Sequence, residues 1–259
     1  MNPYNYENNI NTYRKYPYLN GYLDYGVNNK VLENEYLPGS YYKNADLMQL
    51  GSCRCKKSYF RVLNTYAEVP LDVQINEILM AENFKIGEFT RYVQFAPGTY
   101  RVKIYESKDP SKLIFETNID IGKNLAYTGV IAKDDADPSD IGILMIPEAK
   151  DNSITGRMSA VRMTNLALDA PDLDLAASDG TVLFSGINYG DVSNNVAVPS
   201  GIYTLQLRTK DGKNNVLEVS NVDFAPKMHY TLFIAGKGIN NTDVQIIIPE
   251  DGVNYLDIC

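Results

Sequence analysis

Three cysteines are the residues of this chain best suited to covalent chemistry. Cys53 and Cys55 lie two positions apart, and Cys259 is the last of the 259 residues. Two cysteines so close in sequence rarely meet the geometry of a disulfide, so a bridge between the first two is disfavoured. A structural zinc site needs four ligands, and the chain offers three thiols and one distant histidine, His229. Two readings stay open: inert reduced thiols, or disulfides that link one copy to the next, as an odd cysteine count suggests.

Four carboxylates lie close together in one short segment. They belong to Asp134, Asp135, Asp137 and Asp140. Calcium is bound by oxygen clusters of this kind, which makes these residues metal candidates. Their spacing matches no known calcium loop, and a solvated acidic loop is the simpler alternative.

Two further aspartates, Asp72 and Asp174, occupy equivalent positions in predicted strands. We expect each to cap a turn or to pair with an arginine, Arg61 or Arg162.

The chain offers little that supports catalysis. Its single histidine, His229, lies in an apolar run at residues 228–231, which indicates a structural role. No Gly-x-Ser-x-Gly sequence, phosphate-binding loop or zinc-protease helix is present. We therefore expect a protein that is not an enzyme and that needs no cofactor.

The elements that must position these residues come in two copies. Landmarks between Ser58 and Glu148 recur between Ser159 and Glu250 at a nearly constant offset. The recurring pairs include Arg61 and Arg162, Asn64 and Asn165, Gly87 and Gly190, Tyr100 and Tyr203, and Pro147 and Pro249. Such regular self-similarity means duplication, with small loop insertions absorbing the drift in the offset.

Alternation of apolar and polar residues predicts strands in both copies. Residues 100–105 and 203–208 alternate with a period of two, and Pro97-Gly98 and Asp211-Gly212 are turn signals. Each copy holds about seven short strands with turns every 8–12 residues, the pattern of a sandwich of immunoglobulin-like size. The sequence predicts an all-β chain: two tandem antiparallel β-sandwich domains after a mostly irregular amino-terminal arm. The predicted boundaries are 1–57 for the arm, 58–150 for the first sandwich and 157–251 for the second.

The second copy resembles a known bacterial family. Arg162–Asn165 precedes an Asp-Ala-Pro loop at Asp169–Pro171, an aspartate-containing strand and the turn Pro199–Tyr203 before a long strand. This order is similar to that of domain of unknown function 4397, and the first copy resembles it with departures at Glu68–Pro70 and Ala96–Gly98. The resemblance implies β-sandwich modules of cell-surface or envelope proteins, often in tandem. It implies no catalytic residues.

The arm has a composition of its own. Residues 1–57 hold ten of the 20 tyrosines and ten asparagines, with little valine or isoleucine. Low aliphatic content argues against an independent core, whereas tyrosine rings are adhesive. Two readings stay open: a disordered tail or an arm lying along its own sandwiches, and an assembly arm that orders against a neighbouring subunit. The candidate assembly residues are Tyr4, Tyr6, Tyr13, Tyr16, Tyr18, Tyr22 and Tyr25.

Composition and charge exclude some partners. The net charge of −8 disfavours nucleic acid, and no apolar stretch approaches the ~20 residues of a membrane span. The first residues show no signal-peptide pattern. A Tyr- and Asn-rich head without such a signal resembles the heads of bacterial spore-coat and exosporium proteins. This resemblance implies a place on the spore surface or cell envelope, the alternative being the cytoplasm.

Together these observations predict a non-enzymatic structural protein of a bacterial surface layer, such as a spore coat or exosporium. We expect it to form a homo-oligomer or polymer through its arm and its terminal cysteines, beside other surface-layer proteins. The alternative is an adhesin-like module that recognises a carbohydrate or protein ligand through loops at the ends of the sandwiches.

Overall fold

The computed structural model describes residues 57–65, 69–133, 141–148, 150–151, 154–237 and 244–258, and the backbone of residues 14–16. Within these ranges the regular structure consists of strands and one short 3-10 turn, Gly252–Asn254. The all-β class predicted from the alternation is therefore confirmed.

The first sandwich is built from two four-stranded sheets. Its strands are β2 (Ser58–Asn64), β3 (Leu71–Ile75), β4 (Ile78–Phe84), β5 (Val93–Phe95), β6 (Gly98–Glu106), β7 (Leu113–Ile121), β8 (Ala126–Lys133) and β9 (Ile141–Glu148). The strand orders are β5-β2-β8-β9 and β4-β3-β6-β7.

The second sandwich repeats this plan and gains one strand. Its strands are β10 (Met158–Leu168), β11 (Leu173–Ala177), β12 (Val182–Ile187), β13 (Val196–Pro199), β14 (Gly201–Thr209), β15 (Asn215–Phe224), β16 (His229–Lys237) and β17 (Gln245–Pro249), joined by β1 (Arg14–Tyr16). The strand orders are β1-β17-β16-β10-β13 and β12-β11-β14-β15. Each sandwich belongs to a separate compact unit.

One pairing in each copy differs from the antiparallel expectation. β2 runs parallel to β8 over Tyr59–Asn64, and β10 runs parallel to β16 over Ala160–Leu168. Between the two parallel strands the chain forms the opposite sheet and one short edge strand of the same sheet, β5 or β13. Parallel neighbours need a long crossover of this kind, whereas a hairpin joins antiparallel ones.

Each sandwich encloses its own apolar core. The first core packs Phe60, Phe84 and Phe95 with the aliphatic residues of both sheets, and the rings of Phe60 and Phe95 meet edge to face with centroids 6.0 Å apart. The second core centres on Phe224 and Tyr230.

The repeated landmarks make the same bonds in both copies. The hydroxyl of Tyr100 donates to the carbonyl of Ala96 at 2.8 Å, and that of Tyr203 donates to Pro199 at 2.6 Å. These bonds tie the start of β6 and of β14 to the preceding turn, which explains why the Gly-x-Tyr pattern, Gly98–Tyr100 and Gly201–Tyr203, appears twice.

A buried asparagine plays an equivalent part at the end of the first strand. The side-chain amide of Asn64 donates to the carbonyl of Phe84 at 2.8 Å, and that of Asn165 donates to Ile187 at 3.1 Å. The backbone carbonyl of each asparagine also accepts from a following glycine amide at 2.7 and 2.8 Å. Those glycines have φ of 77° and 79°, a region that favours glycine.

Candidate functional site

The outer edge of the second sandwich carries a strand from the amino-terminal region. β17 pairs antiparallel with β16 on one side and parallel with β1 on the other, where Arg14 lies opposite Ile247 and Tyr16 lies opposite Pro249. A sheet edge otherwise presents unpaired amides and carbonyls that any extended chain can bond. The arrangement is therefore strand addition, a common mode of peptide recognition.

The sequence of β17 explains why this edge accepts a strand. Its five residues carry no charge, and Ile246, Ile247 and Ile248 are all buried, so both faces of the strand are covered. Continuous apolar runs are typical of strands buried on both faces. Pro249, which lacks an amide hydrogen, ends the strand, a position that proline tolerates.

Of the seven candidate tyrosines, the structure brings Tyr16 to this edge as the last residue of β1. The remaining candidates, Tyr4, Tyr6, Tyr13, Tyr18, Tyr22 and Tyr25, lie outside the described residues. Nothing in the period-two analysis singled out residues 14–16, because three residues are too few to show alternation.

The candidate disulfide and calcium residues also lie outside the described ranges. This applies to Cys53, Cys55 and Cys259 and to Asp134, Asp135, Asp137 and Asp140, so both hypotheses stay predictions. In the described part of the chain, no cluster of three or more His, Cys, Asp or Glu side chains is arranged to hold a metal ion. The same part contains no helix long and apolar enough to cross a membrane.

A closed polar network lies on the outer face of the β5-β2-β8-β9 sheet. The Nε of Arg61 donates to Thr128 Oγ1 at 2.8 Å, and Thr128 in turn donates to Glu148 Oε1 at 2.7 Å. The same carboxylate oxygen accepts from the Tyr92 hydroxyl at 2.5 Å and lies 3.5 Å from the Arg61 guanidinium. The guanidinium lies over the rings of Phe89 and Tyr92, 4.6 and 4.5 Å from their centroids. Each charge is met by bonds or rings, which indicates a structural network.

The second copy has an equivalent network, but its acidic residue lies one position later in the aligned sequence. The Nε of Arg162 donates to Thr231 Oγ1 at 2.8 Å, Thr231 donates to Asp251 at 2.8 Å, and Arg162 lies 3.6 Å from that carboxylate. Sequence reasoning aligned Glu148 with Glu250 and missed Asp251, one residue later. The recurrence of threonine at 128 and 231, with an offset of 103, was the signal that pointed to residue 251.

Asp72 and Asp174 hold irregular hairpins and do not pair with the arginines. Asp72 Oδ1 accepts the amide of Asn83 at 2.8 Å, and Asp174 Oδ1 accepts the amide of Gly186 at 2.8 Å. Both donors have positive φ, 53° and 66°, where the register of the hairpin shifts. Each aspartate therefore holds a bulge within a strand rather than capping a turn. The ion-pair alternative is wrong, because Arg61 and Arg162 bond acids at the end of each repeat.

His229 has the structural role that its apolar surroundings suggested. The side chain is buried, its Nε2 accepts the amide of Asp151 at 2.8 Å, and its Nδ1 lies 3.0 Å from Asn254 Oδ1. Both ring nitrogens thus contact segments that flank the second sandwich in sequence, one before β10 and one after β17. A histidine held in this way is not placed to act as a catalytic base.

The strongly shifted pKa values also belong to groups that fix turns. Hydrogen bonds from the Thr209 hydroxyl and the Lys213 amide lower the pKa of Asp211 to about 2. Burial raises the pKa of Tyr230 well above its ordinary value, and its hydroxyl accepts the amide of Ala225 at 3.1 Å.

A family model described as domain of unknown function (DUF4397) matches residues 58–176 and 159–255. The chain belongs to the DUF4397 family. The two matched regions follow the two copies, so the resemblance drawn from the residues is confirmed. No curated protein matches the chain.

Two solved structures illustrate how distant the structural neighbours of this DUF4397 chain are. The Bacillus anthracis TIE protein is 9% identical with a TM-score of 0.21, and the match covers 75% of this chain and 34% of that one. The family 26 carbohydrate-binding module CBMbc of Eubacterium rectale Amy13K, solved with maltoheptaose, is 8% identical with a TM-score of 0.22, covering 74% and 95%. With TM-scores this low, neither match carries an argument about function.

Proposed function

We propose that this chain is a non-enzymatic structural protein that self-associates by exchanging its amino-terminal strand between copies. The observation that carries the proposal is the parallel pairing of β1 with the outer edge of β17. A strand that is remote in sequence and completes a sheet edge is the element that domain swapping exchanges.

The length of the connection makes exchange geometrically feasible. Residues 17–57 separate β1 from β2. At no more than about 3.3–3.6 Å per residue, they reach roughly 140 Å when fully extended. β1 can therefore reach the β17 edge of a neighbouring copy. The exchanged contacts are identical to those within one chain, so exchange costs little free energy beyond the association itself.

Exchange in which each copy gives its strand to the next produces an open chain of subunits. Such heterologous contacts build filaments or sheets unless the rotation closes a ring, which suits a surface layer. The tyrosines of the arm would add contact area, and disulfides from Cys53, Cys55 or Cys259 would fix neighbours covalently. A location on a bacterial surface is supported by the family resemblance of the sandwiches, and the spore coat in particular by the composition of the arm.

The test measures native size by light scattering on the full chain in reducing buffer, over a range of concentrations. The variant Arg14→Pro with Lys15→Pro removes two consecutive amides, so the pairing amide is lost whichever of the two points at β17. The matched control is Asn28→Pro with Asn29→Pro, which places the same two prolines in the arm away from β1. We expect assemblies in the wild type and the control, and much smaller species in the β1 variant.

The proposal is wrong if wild type, control and β1 variant all have the mass of one 29.0 kDa chain. A separate non-reducing gel tests the cysteines: we expect ladders that collapse with reductant and that disappear in Cys259→Ser. A monomer whose melting temperature rises with a glycan or with calcium would support the adhesin-like alternative.

A further inference from the structure

The sheet β4-β3-β6-β7 of the first sandwich ends at a long outer strand. In the described part of the chain, β7 pairs with β6 on one side, and no strand pairs with its other side. The pairing with β6 runs without a register shift from Gly98 opposite Ile121 to Ile104 opposite Phe115. A long and regular edge of this kind offers its outward amides and carbonyls to another strand.

The second copy shows how the equivalent edge can be interrupted. The counterpart of β7 is β15, which pairs with β14 through two register shifts. At the first of them Ser220 and Asn221 together lie opposite Thr204, and Asn221 has a φ of 62°. Bulges bend a strand and disturb its ladder, which is one way that natural sheets prevent edge pairing. β7 has no such bulge between Phe115 and Ile121.

The two carboxylates of β7 are held towards the neighbouring strand β6. Glu116 forms an ion pair with Arg101, and Asp120 accepts a hydrogen bond from the Thr99 hydroxyl at 2.6 Å. Both side chains therefore lean towards β6 rather than over the outer edge. At the start of the strand, Leu113 is 46% exposed, so apolar surface is available for burial against a partner.

We propose that β7 of one copy pairs antiparallel with β7 of a second copy about a two-fold axis at Thr117, which joins two four-stranded sheets into one continuous sheet. In an antiparallel pair, opposite residues have the same amide orientation, and this orientation alternates along a regular strand. Two identical strands can therefore pair only in registers that place one residue opposite its own copy. The sequence of β7 decides which residue this is.

Charge disfavours the two registers on either side of Thr117. An axis at Glu116 would place that carboxylate opposite its own copy, and an axis at Asn118 would place Glu116 opposite Asp120 in both halves of the pair. Like charges directly opposite each other destabilise paired strands. An axis at Thr117 avoids both conflicts. Since Thr117 is the middle residue of Leu113–Ile121, this axis also gives the longest overlap.

The register about Thr117 also brings complementary side chains together, which is why a second copy is the partner. Thr117 lies opposite its own copy, each Phe115 lies opposite an Ile119, and each Glu116 lies opposite an Asn118. Pairs of threonines, and aromatic residues opposite β-branched ones, are among the cross-strand contacts that stabilise sheets. β7 is thus complementary to itself in this register.

The first test maps the axis with single cysteines in a background where the native cysteines are replaced by serine. In Thr117→Cys, the Cα atoms of the two cysteines would lie about 4.5–5.5 Å apart, within the range that a disulfide bridges. The matched control is Asn118→Cys, whose two copies would lie diagonally, about 7–8 Å apart. After mild oxidation we expect disulfide-linked dimers from Thr117→Cys at several times the yield of the control. Equal yields, or a higher yield from Asn118→Cys, would overturn the proposal.

The second test changes one exposed side chain in opposite directions. Asn118 is exposed and would lie opposite Glu116 in both halves of the pair. Asn118→Lys should therefore strengthen the dimer and Asn118→Glu should weaken it, each by roughly 2- to 30-fold in dissociation constant, because two equivalent pairs change. Sedimentation equilibrium measures these constants at high concentration, since an interface of one strand is small. Unchanged melting temperatures confirm folding, and constants that shift in the same direction, or not at all, would contradict the proposal.

Both tests are carried out on the full chain carrying Arg14→Pro and Lys15→Pro, so that strand exchange is removed. We expect the β7 dimer to persist in this background, and we expect the larger assemblies of the wild type to persist in Asn118→Glu. Either interface can therefore fail without the other. If Thr117→Cys gives no more dimer than its control in this background, β7 pairing is wrong and strand exchange is unaffected.

Discussion

Gly129 offers the sharpest test of how side chains pack inside each sandwich. It lies in β8, next to Val62 of β2, and a Cβ added to it would lie 2.6 and 2.7 Å from two ring carbons of Phe60. Real side chains essentially never approach so closely. The ring is fully buried and lies edge-on against Phe95, so it has little room to retreat.

The change Gly129→Ala should therefore destabilise the first sandwich. Overpacking by one methylene typically costs about 1–3 kcal/mol, and the better strand entropy of alanine returns about 0.5–1 kcal/mol of this. We expect a net loss of about 1–2 kcal/mol. For a domain of this size that corresponds to a melting temperature lower by roughly 4–16 °C, measured by calorimetry.

The second copy shows how the same space can be filled differently. Val161 and Leu232 occupy the places of Phe60 and Gly129, and both belong to the second core. The double variant Phe60→Val, Gly129→Leu transplants this pair and keeps the number of side-chain carbon atoms the same. Each single change should be costly, one by leaving a cavity and the other by overpacking. In the double variant the losses should partly cancel.

The assay is a double-mutant cycle from chemical denaturation of the four proteins. Residues in contact couple by about 0.5–3 kcal/mol, so the double variant should be more stable than the sum of the single losses predicts by an amount in this range. Strict additivity, or a Gly129→Ala protein as stable as the wild type, would refute the packing argument.

Three other changes test the polar contacts. Glu148→Ala leaves the buried charge of Arg61 without its acid and should cost about 3–5 kcal/mol in chemical denaturation, whereas the exposed control Glu116→Ala should change little. Glu77→Gly should raise the melting temperature, because the native φ of 66° strains any residue with a Cβ. The lowered pKa of Asp211 stabilises the fold above its unfolded value near 4, and this contribution is lost as pH falls towards 2. The difference in melting temperature between wild type and Asp211→Asn should therefore disappear below about pH 2.

Much of the fold could be predicted from local patterns. The alternation at residues 100–105 and 203–208 and the adjacent turn signals correspond to β6 and β14 and their hairpins. The parallel pairing of β2 with β8 could not be predicted, because alternation reports which face a residue takes and not which strand lies beside it. Pairing partners are set by the crossover of the whole chain.

The bonding partners of the polar residues could not be predicted from the sequence either. Asp72 and Arg61 both recur in the second copy, which suggested that they meet. Recurrence shows only that each of the two positions has a conserved role in the fold. The two residues bond different partners. Asp72 bonds an amide with a positive φ, whereas Arg61 bonds Glu148, and its counterpart Arg162 bonds Asp251. A shift of one residue in the acid is tolerated because the network needs a carboxylate at one place in space, not at one place in the alignment.

What the two copies share therefore explains folding rather than function. The recurring asparagine, tyrosine and arginine side chains all form bonds within their own sandwich. Side chains used in this way do not distinguish one member of the family from another by what it binds. Among the described residues, the strand that is not repeated is β1, which completes a sheet edge of the second sandwich. We expect contacts between copies at this edge, whereas substitutions at the shared landmarks should change stability without changing the size of the assembly at matched folded fraction.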